Sequence, residues 1–172
     1  MLVAFAGLPG SGKSYLVHAL CESHPGMIVF DKDVVRATLF PDNLTDYTSG
    51  QDDLCMEIIL KAAGYLIAKN PDQIILLDGR TFSKKTQVDM VVKAAEAMHT
   101  PCKFILLTCS DTIAKKRLAE GQGVHLAQNR NADLYLSLKQ KAEPLSVTHL
   151  ALQSDDGDVS TRVRAVWEYI QA

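Results

Sequence analysis

Short apolar runs alternate along the chain with longer stretches of mixed character. Leu2–Ala6 and residues 27–31, 73–78, 102–109 and 147–152 are continuously or almost continuously apolar and are bounded by turn or polar residues. Such runs, without polar alternation, are expected of strands covered on both faces. Residues 13–21, 32–40, 51–68 and 84–98 between them carry helical patterns. A last helix shows one stripe of Val159, Val163, Val166, Trp167 and Ile170. Strand–helix alternation predicts a parallel sheet with helices on both faces.

The chain has 172 residues, of which 47% are hydrophobic and 22% charged. This predicts a single α/β domain over residues 1–172 with a real core, and excludes a disordered chain. The formal charge is −2, from 18 basic and 20 acidic residues. A general electrostatic grip on nucleic acid is therefore not expected, although a local basic patch remains open. Cys21, Cys55, Cys102 and Cys109 form no CxxC pair, so buried free thiols in a reducing compartment are expected. The opening apolar run is too short for a signal peptide and lacks a basic leader. The most apolar later stretch, residues 54–67, is broken by Glu57 and Lys61, so no membrane span is expected. A cytosolic location is the default expectation. Oligomeric state is not legible.

Candidate chemistry starts at the end of the first strand. Gly7-Leu8-Pro9-Gly10-Ser11-Gly12-Lys13-Ser14 fits G-x-x-x-x-G-K-[ST] at every fixed position, between a predicted strand and a predicted helix. Glycines allow a turn whose N–H groups point inward, and the helix N-terminus adds positive potential. Lys13 is a mobile cation for β- and γ-phosphates, and Ser14 offers a hydroxyl to Mg2+. Asp78 closes the apolar run Ile74-Ile75-Leu76-Leu77. Ligands gather at the carboxyl ends of parallel strands, so Asp78 is the candidate acidic partner of the metal, directly or through water. Its structural alternative is a turn cap before Gly79.

The sequence lacks the pattern of a guanine-nucleotide switch. Residues 129–132 fail N/T-K-x-D at two places, and Asp78 is followed at the D-x-x-G spacing by Thr81. What remains is similar to small P-loop kinases. Asp33-Val34-Val35-Arg36 resembles the D-x-x-R element of the zeta-toxin, polynucleotide-kinase and chloramphenicol-phosphotransferase group. Residues 110–118 resemble the helix that begins that group's lid, and residues 131–144 the helix that closes it. The resemblance covers most of the chain, in order.

The resemblance implies a P-loop NTPase three-layer α/β/α sandwich, with a five-stranded sheet in the order 2-3-1-4-5 and a small helical lid at about residues 117–136. It implies ATP and Mg2+ as cofactors, and transfer of the γ-phosphoryl group to a hydroxyl of a small-molecule or nucleotide-like acceptor. Asp33 would then orient or deprotonate that hydroxyl. Asp31 is its rival, or sits near the metal. Arg36 lies on the same helical face as Asp33, and either binds an anionic substrate group or pairs with Asp33.

Residues 119–125 hold two glycines and read as the mobile part of the lid. Arg117 before it and Arg130 after it are candidates to place charge on the phosphates and exclude water. The group often has a further arginine within the lid, where this chain has Gly121, Gln122 and Gly123. Arg80 should border the cleft and could hold an acidic or phosphorylated substrate. For Thr81 or Ser83 the plain alternative is a cap on the following helix. The five histidines show no metal-ligand spacing, and His125 is the one lid histidine worth testing. Two alternatives stay open. One is a 5′-hydroxyl polynucleotide kinase, for which Lys84, Lys85, Lys115 and Lys116 are the nearby basic pairs. The other is a non-catalytic ATP-binding regulatory module.

Overall fold

The computed structural model describes residues 1–121, 131–155 and 157–172. Strands β1 (Leu2–Ala6), β2 (Ile28–Asp31), β3 (Ile75–Asp78), β4 (Cys102–Thr108) and β5 (His149–Gln153) form one sheet. All pairings are parallel and the order is β2-β3-β1-β4-β5, as expected. Seven α-helices lie among the described residues: α1 (Lys13–Ser23), α2 (Lys32–Leu39), α3 (Ser49–Lys69), α4 (Lys85–Ala97), α5 (Asp111–Glu120), α6 (Ala132–Lys141) and α7 (Val159–Gln171).

The continuous apolar runs hide a two-sided division of labour. Leu2, Ala4 and Ala6 of β1 join Ile75 and Leu77 against α3 and α4. Val3 and Phe5 join Leu76, Ile105 and Leu107 against Leu16 and Leu20 of α1 and Val163, Val166 and Ile170 of α7. Side chains alternate across a strand, so β1 serves both layers and must be apolar throughout. Each fully buried Val, Leu or Phe contributes about 1.5–3 kcal/mol relative to an exposed one.

Element ends shift slightly from the sequence pattern, for local reasons. β3 starts at Ile75 rather than residue 73, because Gln73 anchors neighbouring loops instead. Its side-chain amide donates to the Gly26 carbonyl at 2.8 Å, and its carbonyl accepts from the terminal ammonium at 2.7 Å. α3 begins at Ser49, ahead of residue 51, since the Thr48 hydroxyl caps it by accepting from the Gln51 N–H at 3.2 Å.

Two features position the site. The chain runs from β1 outward to β2 on one side and crosses from β3 to β4 on the other, so connections diverge above the carboxyl end of β1, where open α/β sheets leave a crevice. The second is the inversion of α2. Lys32, Asp33 and Arg36 are buried, while Val34 and Leu39 are 47% and 44% exposed. A helix that turns its charges inward is not built for stability, because burying ions costs more than packing apolar groups. The residues expected to form most of the lid, 122–130, lie outside the described residues, and Arg130 and His125 with them.

Candidate active site

The glycine loop leaves β1 and enters α1. At Gly7, φ is +144° and a Cβ would stand 2.2 Å from the Leu107 carbonyl oxygen, so no other residue fits. The Gly7 N–H donates to the Thr81 carbonyl at 3.0 Å, which ties the loop to the segment after β3. Lys13 is buried, and its ammonium donates to the carbonyls of Gly7 at 2.7 Å and Leu8 at 3.2 Å. The lysine thus lies across the loop it belongs to. Ser14, half-buried, is the second residue of α1.

Asp31 and Asp78 end adjacent strands and stand in register. Asp31 caps α2 by accepting from the Asp33 N–H at 2.7 Å. Burial, and then the negative charge of Asp78, push its carboxyl above the usual carboxylate range. Gly79, at φ +80°, permits this packing, for a Cβ there would lie 2.5 Å from Asp31 Oδ1. Asp78 is buried, and its Oδ1 has no hydrogen-bond partner among the described residues. A carboxylate oxygen withdrawn from water without a donor suits a cation. Asp78 and Ser14 therefore fit a magnesium ion, which binds through one or two protein oxygens and leaves the rest of its shell to phosphates and water.

Asp33 opens into a cavity of about 190 Å3 beside the loop, lined among others by Pro9, Lys32, Arg36, Tyr47 and Arg80. Asp33 Oδ1 receives Lys32 Nζ at 3.0 Å and Arg36 Nη1 at 2.8 Å. Asp52, from the first turn of α3, takes Lys32 Nζ at 2.9 Å and also pairs with Arg36 Nη2. The Arg36 guanidinium sits 5.1 Å over the ring of Tyr47, a residue held at φ +53°. Arg80 pairs through Nη2 with Asp53. Burial, opposed by the charge of Asp33 and helped by Arg36, brings the Lys32 ammonium down to about 8. Backbone strain also marks the segment after β3: Phe82, buried and edge-on to Phe104 at 5.9 Å, is at φ +49°, a conformation that costs about 1–3 kcal/mol in a bulky residue.

Two further cavities flank the loop. One, of about 270 Å3, lies between Gly12, Tyr15, Arg117, Ser154, Val159 and Arg162. Arg117 donates there to the Gly10 carbonyl at 3.2 Å and to Ser154 Oγ and O, both at 2.8 Å. The other, of about 280 Å3, is mainly apolar and reaches from Leu8 to Tyr135 of α6. Tyr135 and Lys139 hold α6 to α5 by donating to Asp111 Oδ1 at 2.7 Å and 2.5 Å.

The fold thus brings the loop, Asp31, Asp33, Arg36, Asp78 and Arg80 to one end of the sheet, with Arg117 on the far side of the loop. Sequence reading missed Lys32, Tyr47, Asp52 and Asp53. Lys32 had a usable signal, its i,i+4 spacing to Arg36. Asp52 and Asp53 had none, since acidic residues at or near a first helical turn ordinarily complement the helix dipole.

The sheet order, glycine loop and strand-end carboxylates define a P-loop protein of kinase-like fold. Within that class, the chain belongs to the AAA domain family (AAA_33), whose model matches residues 2–144. No curated protein matches the sequence. Among solved structures, the chain is similar to the APS kinase CysC of Mycobacterium tuberculosis, solved with AMPPNP and APS. Identity is 14% over 99% of this chain and 97% of that one, with a TM-score of 0.74. A gluconokinase from Sinorhizobium meliloti 1021 is 18% identical over 99% and 96% of the two chains, with a TM-score of 0.64. Chaetomium thermophilum Kti12, in complex with ADP-AlF3, is 17% identical over 98% of each, with a TM-score of 0.65. These likenesses support the P-loop kinase-like fold and do not single out the zeta-toxin, polynucleotide-kinase and chloramphenicol-phosphotransferase group. No helix among the described residues is long and apolar enough to cross a membrane.

Proposed function

We propose that this chain is an ATP- and Mg2+-dependent kinase that phosphorylates a hydroxyl of a small acceptor. One juxtaposition carries the reading: Pro9 of the glycine loop and the buried carboxylate of Asp33 line the same cavity. A triphosphate end cradled by the loop then adjoins a group able to receive a hydroxyl's hydrogen bond.

Gly7, Leu8, Pro9, Gly10, Ser11 and Gly12 shape the cradle, and the loop's amides and the α1 N-terminus hold the phosphates. Lys13 moves its ammonium from the loop carbonyls to the phosphate oxygens. Ser14 and Asp78 would hold Mg2+, which when bound neutralises phosphate charge. Asp31 fixes the first turn of α2 and thereby the direction of Asp33. Asp33, steadied by Lys32 and Arg36, orients the acceptor hydroxyl and takes its proton as the new O–P bond forms and the bond to the β-phosphate's bridging oxygen breaks. Arg117 lines the cleft on the other side of the loop, which suits the nucleotide base, and acts from there on the bound nucleotide. Arg130, which lies outside the described residues, is assigned in this reading as a second lid cation. The whole chain acts as one domain.

Calorimetry with Mg·ATP, followed by an acceptor screen for phosphorylated product, tests this. Measurable ATP affinity and transfer to an alcohol are expected. An absence of affinity for any nucleoside triphosphate in the presence of magnesium would overturn it.

A further inference from the structure

We propose that the charged cavity selects a small acceptor bearing an oxyanion, a carboxylate or a phosphate ester, and that Arg80 grips that group. This rests on the kinase reading above and names the class of acceptor. Lys32, Arg36 and Arg80, each at most 5% exposed, all line the cavity. Their acidic partners use only part of what they offer. Arg80 gives Nη2 to Asp53, while its Nε and Nη1 are buried and without a hydrogen-bond partner among the described residues. That leaves one N–H on Nε and two on Nη1 without an acceptor. Arg36 Nε is in the same state.

Buried donors on a charged group are costly to leave unmade, so such a cluster signals a missing acceptor. A planar guanidinium with several unused donors matches an oxyanion better than a neutral hydroxyl. Gln87 on the same wall adds a buried, unpartnered Oε1, which can accept from a ligand hydroxyl. Lys84 adds positive potential as an exposed residue of the lining. The volume of about 190 Å3 lies below the range of about 300–1,000 Å3 usual for drug-sized ligands, so it fits a compact anion and not a polymer. With Asp33 at one wall and the free face of Arg80 at another, the acceptor lies with its hydroxyl toward Asp33 and its anion toward Arg80.

The test holds the scaffold constant and varies the charge. With the loop filled by Mg·AMPPNP, the full chain is titrated with inorganic phosphate, D-glycerate, glycerol 3-phosphate and glycerol. The three alcohols and a 5′-hydroxyl oligonucleotide are then offered with Mg·ATP. At least one anion should bind at least ~10-fold more tightly than glycerol, the scale of one charge-assisted hydrogen bond. D-glycerate against glycerol 3-phosphate separates carboxylate from phosphate recognition. Arg80→Gln should lose at least ~10-fold in affinity for that anion, with AMPPNP affinity and circular dichroism unchanged, and Arg80→Lys should recover part. Equal binding of glycerol, no binding of any of the three anions, unchanged anion affinity in a folded Arg80→Gln, or preferential phosphorylation of the oligonucleotide each overturn the proposal. A wild-type chain that fails to bind AMPPNP would instead refute the kinase reading, so the two failures are distinguishable.

Discussion

The glycine loop and the charged cavity adjoin one another but are built on opposite principles. The loop is made of backbone: its conformation excludes side chains, as the 2.2 Å approach of a Gly7 Cβ to Leu107 shows, and its binding groups are amides and one lysine. The cavity is made of side chains: Lys32, Asp33, Arg36 and Arg80 are all buried, gathered from α2 and the segment after β3, and closed by Asp52 and Asp53 of α3. A backbone site can accept any triphosphate of the right shape. A site of buried charges commits to one arrangement of charge, because removing one partner of a buried pair costs about 3–5 kcal/mol. On the proposed kinase reading, nucleotide recognition is the generic part and acceptor specificity belongs to the cavity.

The largest break in this contrast is expected at Lys13, the one place where the loop depends on a side-chain charge. Lys13→Ala removes both the phosphate cation and the bonds to the Gly7 and Leu8 carbonyls. We expect kcat/KM for ATP to fall about 10^3-fold, the upper range for losing one positioned electrostatic donor. Steady-state kinetics at varied ATP measure it, and an unchanged value would remove the loop from the site. Next comes Asp33→Asn, which keeps the shape and deletes the charge. Turnover should fall at least ~100-fold, the scale of a positioned acid–base group, with ATP affinity preserved. A near-normal rate would reduce Asp33 to a structural partner of Lys32 and Arg36.

The same contrast explains what the sequence made legible. The loop is contiguous, so its eight residues could be read as a motif with its physics attached, and strand-end placement pointed to Asp78. The five strands were legible because a buried parallel strand is a short unbroken apolar run. The cavity was legible only in part. Asp33 and Arg36 came with a spacing, but their partners are remote: Asp52 lies 16 residues beyond Arg36 and Asp53 lies 27 residues before Arg80. Ion pairs across such separations leave no periodicity, since the tertiary fold alone makes them neighbours. The inversion of α2 was hidden for a related reason. The D-x-x-R spacing marked Asp33 and Arg36 as site candidates, but nothing in Lys-Asp-Val-Val-Arg shows that all three charges are buried while Val34 is exposed.

A third prediction asks whether the cavity also depends on backbone. Gly79 supports both regions, for a Cβ there would lie 2.5 Å from Asp31 Oδ1 and 2.8 Å from the Lys32 amide nitrogen, at φ +80°. Gly79→Ala must displace the turn that aims Asp33. A loss of about 1–3 kcal/mol is expected from backbone strain, or a fall in Tm of several degrees at this chain length. KM for the acceptor should rise while ATP affinity changes little. Thermal melts and calorimetry check this, and equal losses on both sides would show that the two regions are one mechanical unit.

The smallest effect sharpens the contrast through pH. Lys32, lowered to about 8 chiefly by burial, loses its proton in a range where an ordinary lysine keeps it. Asp33, Asp52, Arg36 and Arg80 surround it, and a neutral Lys32 no longer offers Asp33 an ion pair beside the one from Arg36. Turnover should therefore decline by less than about tenfold as pH rises through 8, and Lys32→Arg, charged throughout, should remove the decline. Stability must move the other way. The unfolded lysine keeps its proton to about 10.5, so between about 8 and 10.5 the unfolded chain binds more protons than the folded one, and rising pH favours folding at this position. Relative to Lys32→Met, the wild type should thus gain stability between pH 7.5 and 10 in urea titrations while it loses activity. A parallel rise or fall of both quantities would mean that Lys32 is not the group titrating in the cavity.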